Sequence, residues 1–169
     1  MRIIKLVLVS LLILSTVVCF ISFFLPSRIR ISRTIRIDAN SETVMKELRD
    51  PERWKDWYPG SDSAEFFYQS GMIKGLVLKK NPFLSLVVSE IKESEVLTTY
   101  NKAASRKSIL STWRVFPETS FNHVTVQWYL DFHIQWYPWE KFSSLVYDRF
   151  YGSLMDQGLE NLKKKAELK

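Results

Sequence analysis

Val124-Thr-Val-Gln-Trp-Tyr-Leu-Asp-Phe-His-Ile-Gln-Trp136 alternates without a break. Val124, Val126, Trp128, Leu130, Phe132, Ile134 and Trp136 fall on one side; Thr125, Gln127, Tyr129, Asp131, His133 and Gln135 fall on the other. So long a period-2 run predicts a strand of an antiparallel sheet with one covered and one wet face. The cover is encoded directly downstream. After Pro138, residues from about Trp139 to Ala166 carry Phe142, Leu145, Val146, Phe150, Leu154, Leu159 and Leu162 at spacings near 3.6. That pattern predicts one amphipathic helix, roughly 40 Å long at the standard rise. Lys163-Lys-Lys165 at its end are charges suited to a helix C-terminus.

Upstream, Ser108 to Phe116 is rich in β-branched and aromatic residues and reads as a strand. Four more strands are expected at about 63–69, 72–79, 83–92 and 95–101, punctuated by Pro59-Gly60, Pro82 and Pro117. The first strand runs from Ile29 to Ile37, with Ile29, Ile31, Ile35 and Ile37 against Arg30, Ser32, Thr34 and Arg36. Arg33 interrupts its apolar face: either it points into a cavity, or a bulge or rim position turns it outward, and the latter is expected. Asn40 or Ser41 caps a helix whose apolar side is Val44, Met45 and Leu48. Asp50-Pro51-Glu52 opens a second short helix carrying Trp54, Trp57 and Tyr58.

The amino-terminal end is of another kind. From Leu6 to Leu25 there is no charged residue, a length that crosses a hydrocarbon core of roughly 30 Å. A cleaved signal needs a shorter run ending in small residues, whereas this one ends Cys19-Phe-Ile-Ser-Phe-Phe-Leu25. Val18 stands where a lipoprotein signal wants a small residue, so Cys19 is read as an apolar side chain of the span. An uncleaved anchor is expected over residues 1–27 with its linker, and one folded domain over 28–169. Positive charges flank the run on both sides, Arg2 and Lys5 before it and Arg28, Arg30, Arg33 and Arg36 after it, so the side of the membrane stays open. Pro26, Ser27 and Arg28 extend about 10 Å at most, which starts the first strand at the headgroups.

Composition narrows the function classes. Setting aside Arg2 and Lys5, 22 of the 24 basic residues stand against 18 acidic ones, and this small excess forms no stripe, so nucleic acid is not an expected partner. Six Trp, seven Tyr and eleven Phe imply a bulky core or a lined cavity. His123 and His133 are the only histidines and the domain has no cysteine; no metal spacing, Gly-rich phosphate loop or nucleophile elbow is present, and no cofactor is expected. Asp131 and His133 share the wet face of their strand and are read as surface residues.

One strand, two short helices, six further strands and a long closing helix resemble the helix-grip fold of the START/Bet v 1-like (SRPBCC) superfamily. The resemblance is to its bacterial polyketide cyclase/dehydrase and lipid-transport branch. It is carried by Arg33-Thr-Ile-Arg-Ile-Asp-Ala39 leading into Ser41-Glu-Thr-Val-Met-Lys-Glu-Leu48, by Asp50-Pro-Glu-Arg-Trp-Lys-Asp-Trp-Tyr-Pro59, and by Tyr151-Gly-Ser-Leu-Met-Asp-Gln-Gly158 with the residues through Lys163. It implies an α+β domain in which a curved antiparallel sheet of about seven strands grips the C-terminal helix; the apolar run before it adds one transmembrane helix to that architecture. A cavity between sheet and helix is implied to hold a lipid or other hydrophobic small molecule, with no shared catalytic set.

On this resemblance the candidate ligand-binding residues are Arg33, Trp113, Trp128, Leu130, Tyr147, Phe150 and Leu154. Trp54 and Trp57 are read as braces for the short helices, and Gly152 and Gly158 as points of close packing. Trp136-Tyr-Pro-Trp139 with Phe142 either packs the strand-to-helix corner, closes one end of the cavity, or rests at the membrane interface. Two alternatives accompany the binding reading: a cyclase- or dehydrase-like enzyme using Arg33, Tyr100 and Tyr147, and a protein-interaction module like the chaperone-activating relatives.

Overall fold

The computed structural model describes residues 2–78, 84–102, 108–118 and 123–168; the expected strand ends at 79 and 83, with Pro82, lie outside them. Helix α1 (Arg2–Phe24) precedes β1 (Arg28–Ile37) and α2 (Ser41–Arg49). Two 3₁₀ turns, 53–56 and 61–63, lead into β2 (Glu65–Gln69), β3 (Met72–Leu78), β4 (Leu84–Ile91) and β5 (Glu95–Lys102). Then come β6 (Ser108–Pro117), β7 (Val124–His133), α3 (Pro138–Ser143), a 3₁₀ turn at 144–146 and α4 (Tyr147–Glu167). The strands form one antiparallel sheet in the order β1-β7-β6-β5-β4-β3-β2, so the first and last strands in sequence are neighbours. Helix α4 closes over it, most extensively against β1.

Alternation in β7 translates directly into burial. Val124, Val126, Trp128, Leu130 and Phe132 are buried while Thr125, Gln127, Tyr129 and Asp131 are half-buried and His133 is exposed. On that outer face Arg30 forms a bidentate pair with Asp131 at 2.7 and 2.9 Å and lies 4.4 Å over the Tyr129 ring. The strand stops at His133 rather than Trp136, because its backbone finds other acceptors. Ile134 N–H donates to the Ser27 carbonyl at 2.8 Å, and Gln135 N–H to the Glu140 carboxylate at 2.8 Å.

Helix α2 begins where the cap residue predicts: Asn40 Oδ1 accepts the Thr43 N–H at 2.7 Å. Its buried side includes Val44, Met45 and Leu48, and also Glu47, whose carboxylate pairs with Arg53 at 3.1 Å. The expected second helix is only a 3₁₀ turn, yet it sets Trp54 against the core with its indole N–H on the Leu48 carbonyl at 3.0 Å.

Two further expectations are corrected. The closing element is not one helix from Trp139 to Ala166; it breaks at Ser143–Val146, and α4 is about 32 Å long. The hydroxyls of Ser143 and Ser144 bond back to the carbonyls of Glu140 and Lys141 at 2.9 and 2.7 Å, competing with the helical ladder. The break resets the helical phase. Gly152, Met155, Gly158, Leu159, Leu162 and Ala166 face inward, while Phe142, Leu145, Val146 and Phe150 are exposed.

The second correction concerns Arg33. β1 pairs with β7 in unbroken register from Arg28↔His133 to Ile37↔Val124, so no bulge turns Arg33 out. Its guanidinium instead crosses α4 at Gly152, where a Cβ would overlap it, and reaches Asp148 at 3.0 Å and Asp156 at 3.3 Å. One turn on either side of the glycine supplies each carboxylate.

Candidate functional site

Period-2 geometry on β5, β6 and β7 turns Tyr100, Ser111, Trp113, Trp128 and Leu130 toward the helix, all buried. The turn at 53–58 inserts Trp54, Trp57 and Tyr58 from the other side. The result is an aromatic interior. Trp113 lies 5.3 Å from Trp128, 5.6 Å from Trp54 and 6.2 Å from Trp57, and Tyr58 lies 5.8 Å from Trp128, ring centre to ring centre. These separations and tilts are those aromatic rings prefer.

A thread of polar groups runs through it. Trp128 Nε1–H donates to Ser111 Oγ at 2.8 Å, the Tyr100 hydroxyl interacts with Ser111, and Tyr100 and Tyr58 share a short hydroxyl–hydroxyl bond. The indole N–H groups of Trp57 and Trp113 are buried and have no hydrogen-bond partner among the described residues. Ser111 was legible only in part: it stands two residues before Trp113, on the same strand face, but a small polar residue carries little periodic weight. Tyr58 carried no signal beyond its helical spacing from Trp54.

Toward the start of α4 the rim is built from three rings. Phe132 lies 5.0 Å from Tyr147 and 4.8 Å from Tyr151. Tyr147, Tyr151 and Leu154 are half-buried. Thus Trp113, Trp128 and Leu130 meet in the interior, and Tyr147 and Leu154 stand at its edge. Arg33 runs along the edge of α4 into its ion pairs. Phe150, expected to line the interior, is 70% exposed on the outer side of α4, because within that helix it stands more than about a quarter-turn around from the buried Met155, Leu159 and Leu162. Tyr151, four residues after Tyr147, takes the place on the sheet side.

The interior is neutral. Burial pushes the Tyr58 phenol well above its ordinary value, and the neighbouring Tyr100 adds to the rise; burial likewise raises Tyr100. Tyr151 is raised by burial too. At neutral pH all three phenols stay protonated, and Tyr58 and Tyr100 share a hydrogen bond. A raised phenol favours the fold fully below the unfolded value near 10, and that contribution is lost as pH rises through the folded value. Urea midpoints are therefore expected to fall steeply above about pH 10. Tyr58→Phe/Tyr100→Phe flattens that limb; a limb of unchanged steepness would refute the assignment.

The two helix glycines separate two kinds of close contact. At Gly152 an added methyl meets the tip of the flexible Arg33 side chain, whereas at Gly158 it meets Trp128 Cζ3 at 2.8 Å and Pro59 at 3.1 Å. Gly152→Ala gains helix propensity and loosens two exposed ion pairs, so its effect stays within about 1 kcal/mol. Gly158→Ala is expected to cost about 1–3 kcal/mol by overpacking. Paired denaturation curves check this, and equal losses at both sites would contradict it.

Among the described residues no three His, Cys, Asp or Glu side chains are grouped to hold a metal ion. His123 is buried, bonds Glu118 at 2.6 Å and contacts Arg36 at 3.1 Å, and the His123 hydrogen bond holds the Glu118 carboxyl below its usual range.

A curved antiparallel sheet closed by a C-terminal helix over an aromatic interior defines the helix-grip class. Residues 28–167 match the family model described as polyketide cyclase / dehydrase and lipid transport. The chain belongs to that family. Its fold is similar to that of a START superfamily protein from Mycobacterium smegmatis, at 16% identity and TM-score 0.60, covering 82% of this chain and 97% of that one. It is also similar to the Zhui aromatase/cyclase from Streptomyces sp. R1128, at 12% identity and TM-score 0.57, covering 83% and 94%. Truncated norcoclaurine synthase from Thalictrum flavum aligns at 11% identity and TM-score 0.60, covering 81% and 92%. At such identities the likeness is one of fold. No curated protein matches the sequence.

Proposed function

We propose that this chain is a binding module for a lipid or other hydrophobic small molecule, tethered to a membrane by α1. The observation that carries the reading is the pair of indole donors, Trp57 and Trp113, buried in an aromatic interior without a partner among the described residues. An ordinary core pairs its buried N–H groups, and leaving one unpaired costs about 1–3 kcal/mol. A mostly apolar ligand carrying one or two acceptor oxygens matches such surroundings. Entry lies between the Tyr147–Tyr151–Leu154 side of α4 and the inner face of β5–β7. The tether is supported by α1 itself: 23 residues, exposed along nearly its whole length, cross a bilayer at the helical rise.

Native mass spectrometry of the full chain, released from mild detergent, tests this. A co-purifying hydrophobic molecule is expected, bound about 3–10-fold more weakly by Trp113→Phe, which keeps the ring and removes the donor. A chain that carries nothing and takes up nothing from a total lipid extract would overturn the reading.

One observation favours a second reading, an enzyme acting on an aromatic or polyketide-like substrate. Of Arg33, Tyr100 and Tyr147, Tyr100 faces the interior with a neutral hydroxyl, a group able to donate to a substrate carbonyl. Turnover of such a substrate, abolished in Tyr100→Phe while binding persists, would decide for it.

A further inference from the structure

Six large apolar side chains at the corner between sheet and closing helix have little cover. Trp136, Trp139, Leu145 and Phe150 are 73, 69, 63 and 70% exposed, with Phe142 and Val146 partly so. Tyr137 stacks between the two indoles, 4.8 Å from Trp136 and 5.0 Å from Trp139. A contiguous apolar surface of this kind marks an interaction site.

What covers it follows from where α3 is held. Lys141 is buried, and its ammonium donates to the Leu25 carbonyl at 2.6 Å and to Ser27 Oγ at 2.8 Å. Helix α3 also packs on α1. Of residues 2–25, Val18, Ser22 and Leu25 are the ones not fully exposed. Their i, i+4, i+7 spacing is one helical face, and it reaches about 10 Å back along the axis. The corner therefore sits beside the last two turns of α1 and not beyond its end. If α1 crosses a bilayer, that depth is the boundary between acyl chains and headgroups, where Trp and Tyr are favoured.

The charges nearby agree with that depth. Arg28, exposed at the start of β1, lines a hollow of about 400 Å³ close to the tether together with Arg30, Asp131 and His133, and Arg30 there is held by Asp131. Arg149 is exposed between Val146 and Phe150 in sequence. Cations at this level meet lipid phosphates.

The geometry points to a bilayer-docking surface made of Trp136, Trp139, Phe142, Leu145, Val146 and Phe150, which lays the domain on the membrane as a second attachment beside α1. The inference rests on the reading of α1 as a span. Docking fixes how the domain faces the lipid and brings the adjoining Tyr147–Tyr151 rim to the bilayer surface.

Tryptophan depth quenching separates the two readings, because α1 contains no Trp and the other four tryptophans are buried. The full chain is reconstituted into phosphatidylcholine–phosphatidylglycerol vesicles with and without acyl-brominated phosphatidylcholine, and co-flotation with vesicles is measured on the same samples. Flotation together with loss of about a third of the tryptophan emission, matching two indoles of six, is expected. Trp136→Phe/Trp139→Phe abolishes the quenching and leaves flotation unchanged. Leu145→Asp/Phe150→Asp, both at exposed positions, reduces quenching at least twofold with flotation and thermal midpoint retained.

Flotation without quenching would overturn the docking surface while sparing the anchor. If that result came with a concentration-dependent dimer, the surface would belong to a second copy of the chain. Failure to float would overturn the anchor and the docking surface together.

Discussion

Trp128→Ala is expected to lower the unfolding free energy by about 3–5 kcal/mol, the range for removing a buried indole. The side chain is fully buried. It packs at a tilt against Trp113 and Tyr58, lies under α4 at Gly158, and supplies the N–H that Ser111 Oγ accepts. Three losses coincide: apolar area returned to water, a cavity the rigid neighbouring rings cannot refill, and a hydroxyl left without its donor. Marginal stability of about 5–15 kcal/mol makes such a loss a large share of the total. Trp128→Phe separates the contributions, keeping most of the area and removing the N–H, and is expected to cost less than half as much. Chemical denaturation of the full chain in detergent measures both; a loss below about 1 kcal/mol for the alanine variant would mean that the interior collapses freely.

The second large effect is expected at Gly75, in the middle of β3. There Gly75 lies opposite Val87 of β4 and Phe67 of β2, next to the register shift between Phe67 and Tyr68. A Cβ added at Gly75 would fall on the Leu86 carbonyl. At Gly152 a flexible arginine can move aside, but here the obstacle is a paired backbone group flanked by two strands. Relief requires β3 and β4 to part, with loss of ladder hydrogen bonds. Gly75→Ala is therefore expected to cost about 3 kcal/mol, at or above the upper end of overpacking substitutions. Faster amide exchange should be confined to the β2–β3–β4 end of the sheet. Uniform exchange across β1, β7 and β6 as well would show that this edge does not yield on its own.

Both residues illustrate what a periodic pattern can and cannot convey. The side on which Trp128 falls was plain from Val124 to Trp136, because alternation in one strand is a local property. Its partners were not, since Tyr58 and Gly158 come from distant parts of the chain and meet it only after the sheet curls. The interior's polar thread escaped for the same reason: Ser111, Tyr100 and Tyr58 are unremarkable singly and acquire meaning by meeting. At the closing helix a 3.6-residue spacing was read straight through Ser143 and Ser144. Their hydroxyls bond the preceding turn instead, and within α4 Phe150 falls more than about a quarter-turn away from Met155, Leu159 and Leu162 and so faces outward.

The sequence by itself determined the order of the seven strands along the chain, the covered faces of β1 and β7, a helix start at Asn40 or Ser41 and an apolar run long enough to span a bilayer. These follow from near-neighbour spacing, capping chemistry and hydropathy, which need no knowledge of the fold. The tertiary structure alone decided that Arg33 crosses α4 at Gly152 between two aspartates, that two indole N–H groups are buried without partners among the described residues, and that Lys141 ties α3 to the end of α1. Each depends on residues separated by tens of positions or more, and only the packed chain brings them within bonding distance or seals them from water. The same packing leaves Trp136 and Trp139 outside, beside the anchor.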